Sequence, residues 1–426
     1  MLALDGYSLR PLARTHESLH LYRGTRLGDN AAVLVQVATR AAPSTRGRLE
    51  HEFDLREDLH IDWAVQPLGL LKVTTNLILV ETDPGGELLE RLLGPAMPVP
   101  LFLRLAIGIT RAVNALHQQE LVHKDLHPGH ILIDVASGKT HLLGFGNASR
   151  IPRAHQDLVP LEVITSNLAY IAPELTGRVN RSIDSRSDLY TLGAVFYQML
   201  AGVLPFSAVD AIGWVHSHIA RMPLPLTERL PNIPPALSHM VQKLLEKNAE
   251  ERYQTAAGLL ADLQHCLAQW TRNGKIEEFV LARHDASGRL IVPEKLYGRE
   301  QARQTLLDAV DQVLATGNPE LVLVAGYSGI GKSSLVHELL QVLVQPRARF
   351  ISSKFDLHKR DIPYTTLAQA FQILVRQMLG QSREALEHWR DAILQAVGST
   401  GHLLRALIPE LQLGIGPHPA TVDVPP

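Results

Sequence analysis

The chain has 426 residues, a formal net charge of −2, 46% hydrophobic and 20% charged residues, and a single cysteine, Cys266. That length accommodates two or three domains with sizeable cores, and the near-neutral charge gives no basis for binding nucleic acid or an anionic membrane. One cysteine excludes an internal disulfide framework and suits a reducing compartment. The opening MLALDGYSLRPLAR lacks the basic start and apolar core of a signal peptide. Apolar runs such as LVLVAG (321–326) fall short of the roughly 20 residues of a spanning helix. A soluble cytoplasmic protein without membrane insertion is expected.

Residues 7–40 alternate apolar and polar in short bursts, YSLRPLA, LHLYRG and AAVLVQVA, which predicts antiparallel strands joined by tight turns such as GDN at 28–30. RGRLEHEFDLREDL (46–59) spaces its apolar positions as one helix would. Two strand-like runs, AVQPLGLLKV and NLILVETD, end at the Pro84-Gly85-Gly86 breaker. From about Leu88 the period turns helical. FLRLAIGITRAVNALHQQ (102–119) is amphipathic, and YTLGAVFYQMLAG (190–202) is apolar nearly all round and so a buried helix. Ala236 to Lys247 and Ala256 to Trp270 supply two more helices. The polar, glycine-containing text at 272–289 reads as a linker. Beyond it come LYGRE (296–300), a helix from Gln301 to Ala315, the strand LVLVAG and the run GYSGIGKSS.

The stretch HKDLHPGHILIDVASGKTHLLGFG (123–146) carries the first chemical signal. Phosphoryl-transferring kinases show H-R-D-x-x-x-x-N followed by D-F-G. Here His123, Lys124 and Asp125 fill the triplet, His130 stands where Asn belongs, and Gly144-Phe145-Gly146 replaces D-F-G. The replaced Asn and Asp are the groups that hold Mg²⁺ against the phosphates.

With SNLAYIAPELTGRVNRSIDSRSDLYTLGAVFYQMLAGVLPF (166–206) and LLEKNAEERYQTA (244–256), residues 7 to about 268 resemble the bacterial Ser/Thr protein kinase-like domain. The likeness is to the form that opens large multidomain sensor proteins, which continue into an AAA/STAND-type P-loop ATPase, GAF domains and a histidine kinase. The resemblance implies an α+β, bilobal fold over residues 1–270, with a β-rich small lobe and a helical large lobe. A linker over 271–295 and the first part of an α/β P-loop NTPase domain over 296–426 follow. It implies that Glu174 of Ala172-Pro173-Glu174 pairs with Arg252, that Asp188 holds the catalytic-loop backbone, and that Glu52 is the small-lobe helix glutamate. These positions serve folding.

The chemical positions depart from the family. No G-x-G-x-x-G lies between the first two strands, where LARTHESLHLYRG offers only Gly24. The phosphate-binding strand lysine falls at Gln36, so its ion pair with Glu52 is lost. His127 replaces the lysine two residues after the catalytic Asp, and Asn167 replaces the threonine before A-P-E. Asp125 remains suited to act as a general base or to orient its loop. His123, His127 and His130 form an H-x₃-H-x₂-H cluster that invites a Zn²⁺ reading. On the implied fold, however, they point in different directions, His123 inward and His127 toward the cleft.

The sharpest chemical signal is Gly326-Tyr327-Ser328-Gly329-Ile330-Gly331-Lys332-Ser333, which fits G-x-x-x-x-G-K-[ST] between an apolar run and the helical SSLVHELLQVLV beginning at Ser333-Ser334. Backbone N–H groups at such a turn cradle phosphates. Lys332 would reach the β/γ-phosphates of ATP, and the Ser333 hydroxyl would sit on Mg²⁺. No apolar strand with a terminal acidic pair follows from Phe350 onward, so a Walker-B carboxylate is not found. A parallel sheet with most strands missing cannot cover its faces, so the half-domain is expected to be poorly stable unless another chain completes it, as in a truncated member of the family or one piece of a split protein.

The reading is a signalling protein whose kinase-fold domain has lost phosphotransfer, joined to an incomplete ATP-binding P-loop domain. Its partners would be other signalling proteins or domains, with no cofactor assigned to the kinase-like cleft. Two alternatives stand beside it: an active ATP-dependent Ser/Thr kinase with Asp125 as base, and a nucleotide switch acting through the P-loop alone.

Overall fold

A computed structural model describes residues 4–16, 19–38, 43–73, 75–150, 167–176, 182–285, 298–327, 330–332, 335–336, 351, 353, 365–379, 389, 390, 393 and 395. The chain divides into two compact units, Met1–Gln156 with Ser166–Lys295, and Asp157–Thr165 with Leu296–Pro426.

In the first unit the alternating segments form β1 (Tyr7–His16), β2 (Leu19–Arg26) and β3 (Ala31–Ala38). After α1 (Pro43–Asp54) come β4 (Pro67–Val73) and β5 (Asn76–Thr82). They pair antiparallel in the order β1-β2-β3-β5-β4. Six consecutive residues of the central β3, Val33 to Ala38, are buried, so both of its faces are covered. Val33, Val35 and Val37 join Ile78 and Val80 in one cluster, while Ala38 meets Leu49 of α1 together with Leu77 and Leu79. Gln36 is the polar member of this second face. Its surroundings therefore set what the cleft can do.

The large lobe begins with β6 (Glu87–Leu88), α2 (Leu89–Leu92) and α3 (Val99–Gln118). The short strands β7 (Leu121–Val122), β8 (Ile131–Ile133), β9 (Thr140–Leu142) and β10 (Ser149–Arg150) follow. Helices α4 (Ser185–Ala201), α5 (Ala211–Ala220), α6 (Leu226–Arg229), α7 (Pro235–Leu244) and α8 (Ala256–Asn273) complete it. Asp184 caps α4 by accepting from the Arg186 N–H. Leu189 to Tyr197 of α4 are buried without interruption, as an all-round apolar helix must be. Helix α3 is long and apolar enough to cross a membrane by length and composition, contrary to the expectation that no run is. Its apolar stripe, including Phe102, Leu105, Ile109, Val113 and Leu116, is buried in the main core.

The supposed linker also differs. Beyond α8, Ile276 is buried, and Phe279, Leu281 and Ala282 pack on the same core. The Asp285 carboxylate accepts from the Thr255 N–H at 2.9 Å. Polar composition misled here because a few apolar side chains suffice to bind a short segment to an existing core.

The second unit contains α9 (Glu300–Thr316) and α10 (Thr365–Leu379) among its described residues. Residues 321–326, expected as a strand, make no ladder among the described residues, and Leu321 and Leu323 are 95% and 87% exposed. An isolated strand has no partner for its backbone groups, so its apolar sequence alone cannot produce one.

Candidate functional site: the cleft between the lobes

Gln36 bridges two acids. Its Nε2 donates to Glu52 Oε2 at 3.3 Å and to Glu81 Oε2 at 3.0 Å. Glu52 Oε1 also accepts the Phe145 N–H at 2.7 Å. Burial pushes both carboxyls up, Glu81 well above the usual range because the nearby Glu52 charge adds to its burial. Glu52 has donors on both oxygens, whereas Glu81 Oε1 has no partner, so the proton belongs on Glu81. A carboxyl raised in the folded state binds its proton more tightly there. Stability consequently falls as pH rises from the unfolded value of about 4.5 through the folded one. Gln36→Lys places an ammonium where the amide now meets both acids. It should raise stability at pH 8 by about 1–2 kcal/mol and flatten this pH dependence. Denaturant unfolding at pH 5 and pH 8 checks it, and parallel pH slopes in variant and parent would contradict the assignment.

The loop from His123 to His130 is held from below. Asp188 of α4 accepts the His123 and Lys124 N–H groups, each at 2.9 Å, and meets His117 Nε2 at 2.9 Å. Burial opposes the Asp188 charge, but His117 and these donors outweigh it and leave the carboxyl below its usual range. Nearby, Glu174 and Arg252 form a buried pair with two bonds of 2.7 and 3.0 Å.

Above the loop, α1 reaches in. Arg48 Nη2 lies 2.7 Å from Asp125 Oδ2, Asn147 Nδ2 donates to the same oxygen at 3.1 Å, and the Asn167 N–H approaches Oδ1 at 3.4 Å. Burial pushes Asp125 up while the guanidinium pulls it down. A substrate hydroxyl would have to displace this cation before giving up a proton to Asp125.

The imidazoles come closer together than expected. The His127 and His130 rings are 3.9 Å apart, and Asp125, His127 and His130 each bring one potential ligand atom within 4.8 Å of the others. Hydrogen bonding assigns the tautomers. His123 Nδ1 accepts the Asp125 N–H and its Nε2 meets the Leu143 carbonyl, while His127 Nδ1 accepts the Gly129 N–H. Both rings therefore carry their proton on Nε2. His130 Nδ1 donates to the Asp125 carbonyl at 2.8 Å, which leaves Nε2 as its lone pair. Burial lowers His123 and His130 to about 4 and His127 well below its usual value, so all three are neutral near pH 7. One free lone pair beside a carboxylate already bound by Arg48 does not make a three-ligand metal site.

The metal positions of an active kinase are filled. Gly144 has φ +79°, and a Cβ there would lie 2.6 Å from the His130 ring. The imidazole thus occupies the space an aspartate side chain would need. The two substitutions fit one another sterically, and neither supplies the oxygen ligand that the family uses for Mg²⁺. Leu12, Leu21 and Leu34 of the small-lobe strands pack directly with Leu88, Leu132 and Leu143, all buried. Arg23 closes the side by pairing with Asp83 at 2.8 Å and donating to the Gly86 carbonyl at 2.8 Å, and Arg91 donates to the Leu12 carbonyl. A nucleotide entering between the lobes would have to displace this cluster. The cleft as it stands lacks the lysine, asparagine and aspartate with which the family holds ATP and Mg²⁺.

Arg48, Glu81, Asn147 and Leu34 escaped the sequence reading. Arg48 had a usable signal, because it lies four residues before Glu52 and so shares its helical face.

In the second unit, Lys332 Nζ donates to the carbonyls of Gly326 at 2.9 Å and Tyr327 at 2.7 Å. Gly331 holds φ +92°, and the Leu335 N–H donates to the Gly331 carbonyl at 2.9 Å. Ser328, Gly329, Ser333 and Ser334 lie outside the described residues.

These features define a protein-kinase fold followed by a P-loop segment. The protein kinase domain family matches residues 25–263, more than half of the chain, and the chain belongs to it. The AAA ATPase domain family matches residues 295–420. Among curated relatives, hybrid signal transduction histidine kinase G of Dictyostelium discoideum is 33% identical over 61% of this chain and 8% of its own length. Peroxide stress-activated histidine kinase mak3 of Schizosaccharomyces pombe is 24% identical over 73% of this chain and 15% of its own. Serine/threonine-protein kinase PknB of Mycobacterium tuberculosis is 33% identical over 36% of this chain and 24% of its own. The chain therefore spans less than a quarter of the length of these relatives.

Proposed function

We propose that the kinase-fold domain is a signalling module without phosphotransfer, a regulatory or scaffolding pseudokinase of the cytoplasm that acts on other signalling proteins or domains. The observation that carries this is the pair of filled positions: His130 over Gly144 in the metal site, and Arg48 on Asp125. ATP with Mg²⁺ is assigned instead to the P-loop, where Lys332, Ser333 and the backbone of Gly326 to Gly331 would hold it. The bare apolar run at Leu321 and Leu323 supports completion of that domain by further strands, from another chain or from more of the same protein.

The test pairs two measurements on the full chain. Transfer of labelled γ-phosphate with Mg²⁺ or Mn²⁺ should not exceed that of Asp125→Asn; transfer abolished by that substitution would restore the active-kinase reading. ATP should raise the unfolding temperature of the wild type, and Lys332→Ala should remove the effect. A shift that survives Lys332→Ala would place the nucleotide elsewhere.

A further inference from the structure

Where the β8–β9 turn crosses α3, helices α3 and α8 leave between them a cavity of about 840 Å³. That is within the roughly 300–1,000 Å³ of small-molecule sites. Its lining shares no residue with the cleft chemistry. The floor is apolar: Trp63, Ile107 and Ala112 are buried and Leu267 is half-buried. Gly108 of α3 lets the Gly138 carbonyl of the turn lie against the helix, and Ala112 and Ala115 line the wall beside it.

The rim is mostly cationic. Arg104, Arg111, Lys139 and Arg272 surround the cavity, all exposed, and none forms an ion pair among the described residues. Among the described residues the lining holds one acid, the exposed Asp62, against four cations. Four cations converging on an apolar hollow stand out in a chain whose net charge is −2. Arg104 spends only a long bond of 3.4 Å on the Ala136 carbonyl, so its guanidinium is nearly free to turn to a ligand.

We propose that this cavity is a binding site for a small amphipathic anion, with an aliphatic or aromatic body on the Trp63–Ile107–Leu267 floor and a carboxylate or phosphate held by the rim. An apolar ligand without charge would leave the cations unused, and a cationic one would be repelled. The concave floor, enclosed by two helices and a turn, favours a compact ligand over a flat protein surface. Because the rim is solvent-exposed, its contribution falls with salt.

Titration calorimetry of the full chain with sodium dodecanoate, kept below its micelle concentration, tests the site, with dodecyltrimethylammonium as a cation of the same tail length. Dodecanoate should bind saturably at one site, more weakly at high salt, and the cation should not. The double charge reversal Arg111→Glu with Arg272→Glu should weaken dodecanoate by about tenfold or more, since two exposed attractions become repulsions. Ala268→Trp, at an exposed lining position, should also weaken binding by filling the hollow, with thermal unfolding unchanged in both variants. Absence of saturable binding, equal binding of the cation, or full affinity in both variants would overturn the proposal.

Discussion

Arg252→Ala should destabilise the kinase-like unit by about 3–5 kcal/mol, the usual cost of stranding one member of a buried ion pair. The arginine is fully enclosed. Beyond its two bonds to Glu174 it donates to the carbonyls of Glu246, Lys247 and Arg186 at 2.7, 3.0 and 3.1 Å, and it stacks 4.8 Å from the centre of the Tyr190 ring. Truncation therefore leaves a buried carboxylate without a countercharge and three carbonyls without donors. Burial alone would push Glu174 up, but the guanidinium and its hydrogen bonds outweigh it and hold the carboxyl below the usual range. A lowered carboxyl stabilises the fold above its unfolded value of about 4.5, and that contribution is lost as pH falls through the folded value. Acid unfolding of the wild type should show this loss. Adding Glu174→Ala to Arg252→Ala should then cost little more, because the stranded charge is gone. Additive losses measured by denaturant unfolding would show that the two residues do not act as a pair.

Gly144→Asp restores the family's metal-binding aspartate and should nonetheless destabilise the protein by about 3 kcal/mol. About 1–2 kcal/mol comes from placing a side chain at φ +79°. The rest, about 1–3 kcal/mol, comes from forcing a Cβ against the His130 ring in a packed interior. His130→Asn removes the ring from that space, so the double variant should recover most of the collision energy and leave mainly the backbone term. A double-mutant cycle should give a favourable coupling of about 1–2 kcal/mol. Zero coupling would mean that the two substitutions were not fitted to one another. On the proposed reading the double variant should still transfer no phosphate, because Gln36 stands in the lysine position and Arg48 holds Asp125.

The contrast between Glu52 and Glu81 shows where sequence reading stops. Glu52 was named because the family resemblance implies a glutamate on the small-lobe helix. Glu81 ends the apolar run NLILVETD and looks like a residue at a strand end. Only strand pairing, with Gln36 opposite Leu79 and Leu34 opposite Glu81, sets the two carboxyls on one amide. The same holds for the histidines. Their spacing invited a metal, and the decision lay in which ring nitrogen each backbone N–H or carbonyl engages.

The amino-acid sequence by itself determined the order of strand-rich then helix-rich text, through period 2 giving way to period 3.6, while the family resemblance carried the bilobal fold and the motif positions at which Lys, Asn and Asp are replaced. Such periods are local properties, written within a turn of helix or a single strand. The sequence also placed the P-loop. The tertiary structure alone decided what replaced the lost groups: Arg48 on Asp125, His130 in the space above Gly144, and a leucine cluster across the cleft. Arg48 and Asp125 stand 77 residues apart. A contact over that distance exists only once the small-lobe helix is folded against the catalytic loop, and no local pattern encodes it.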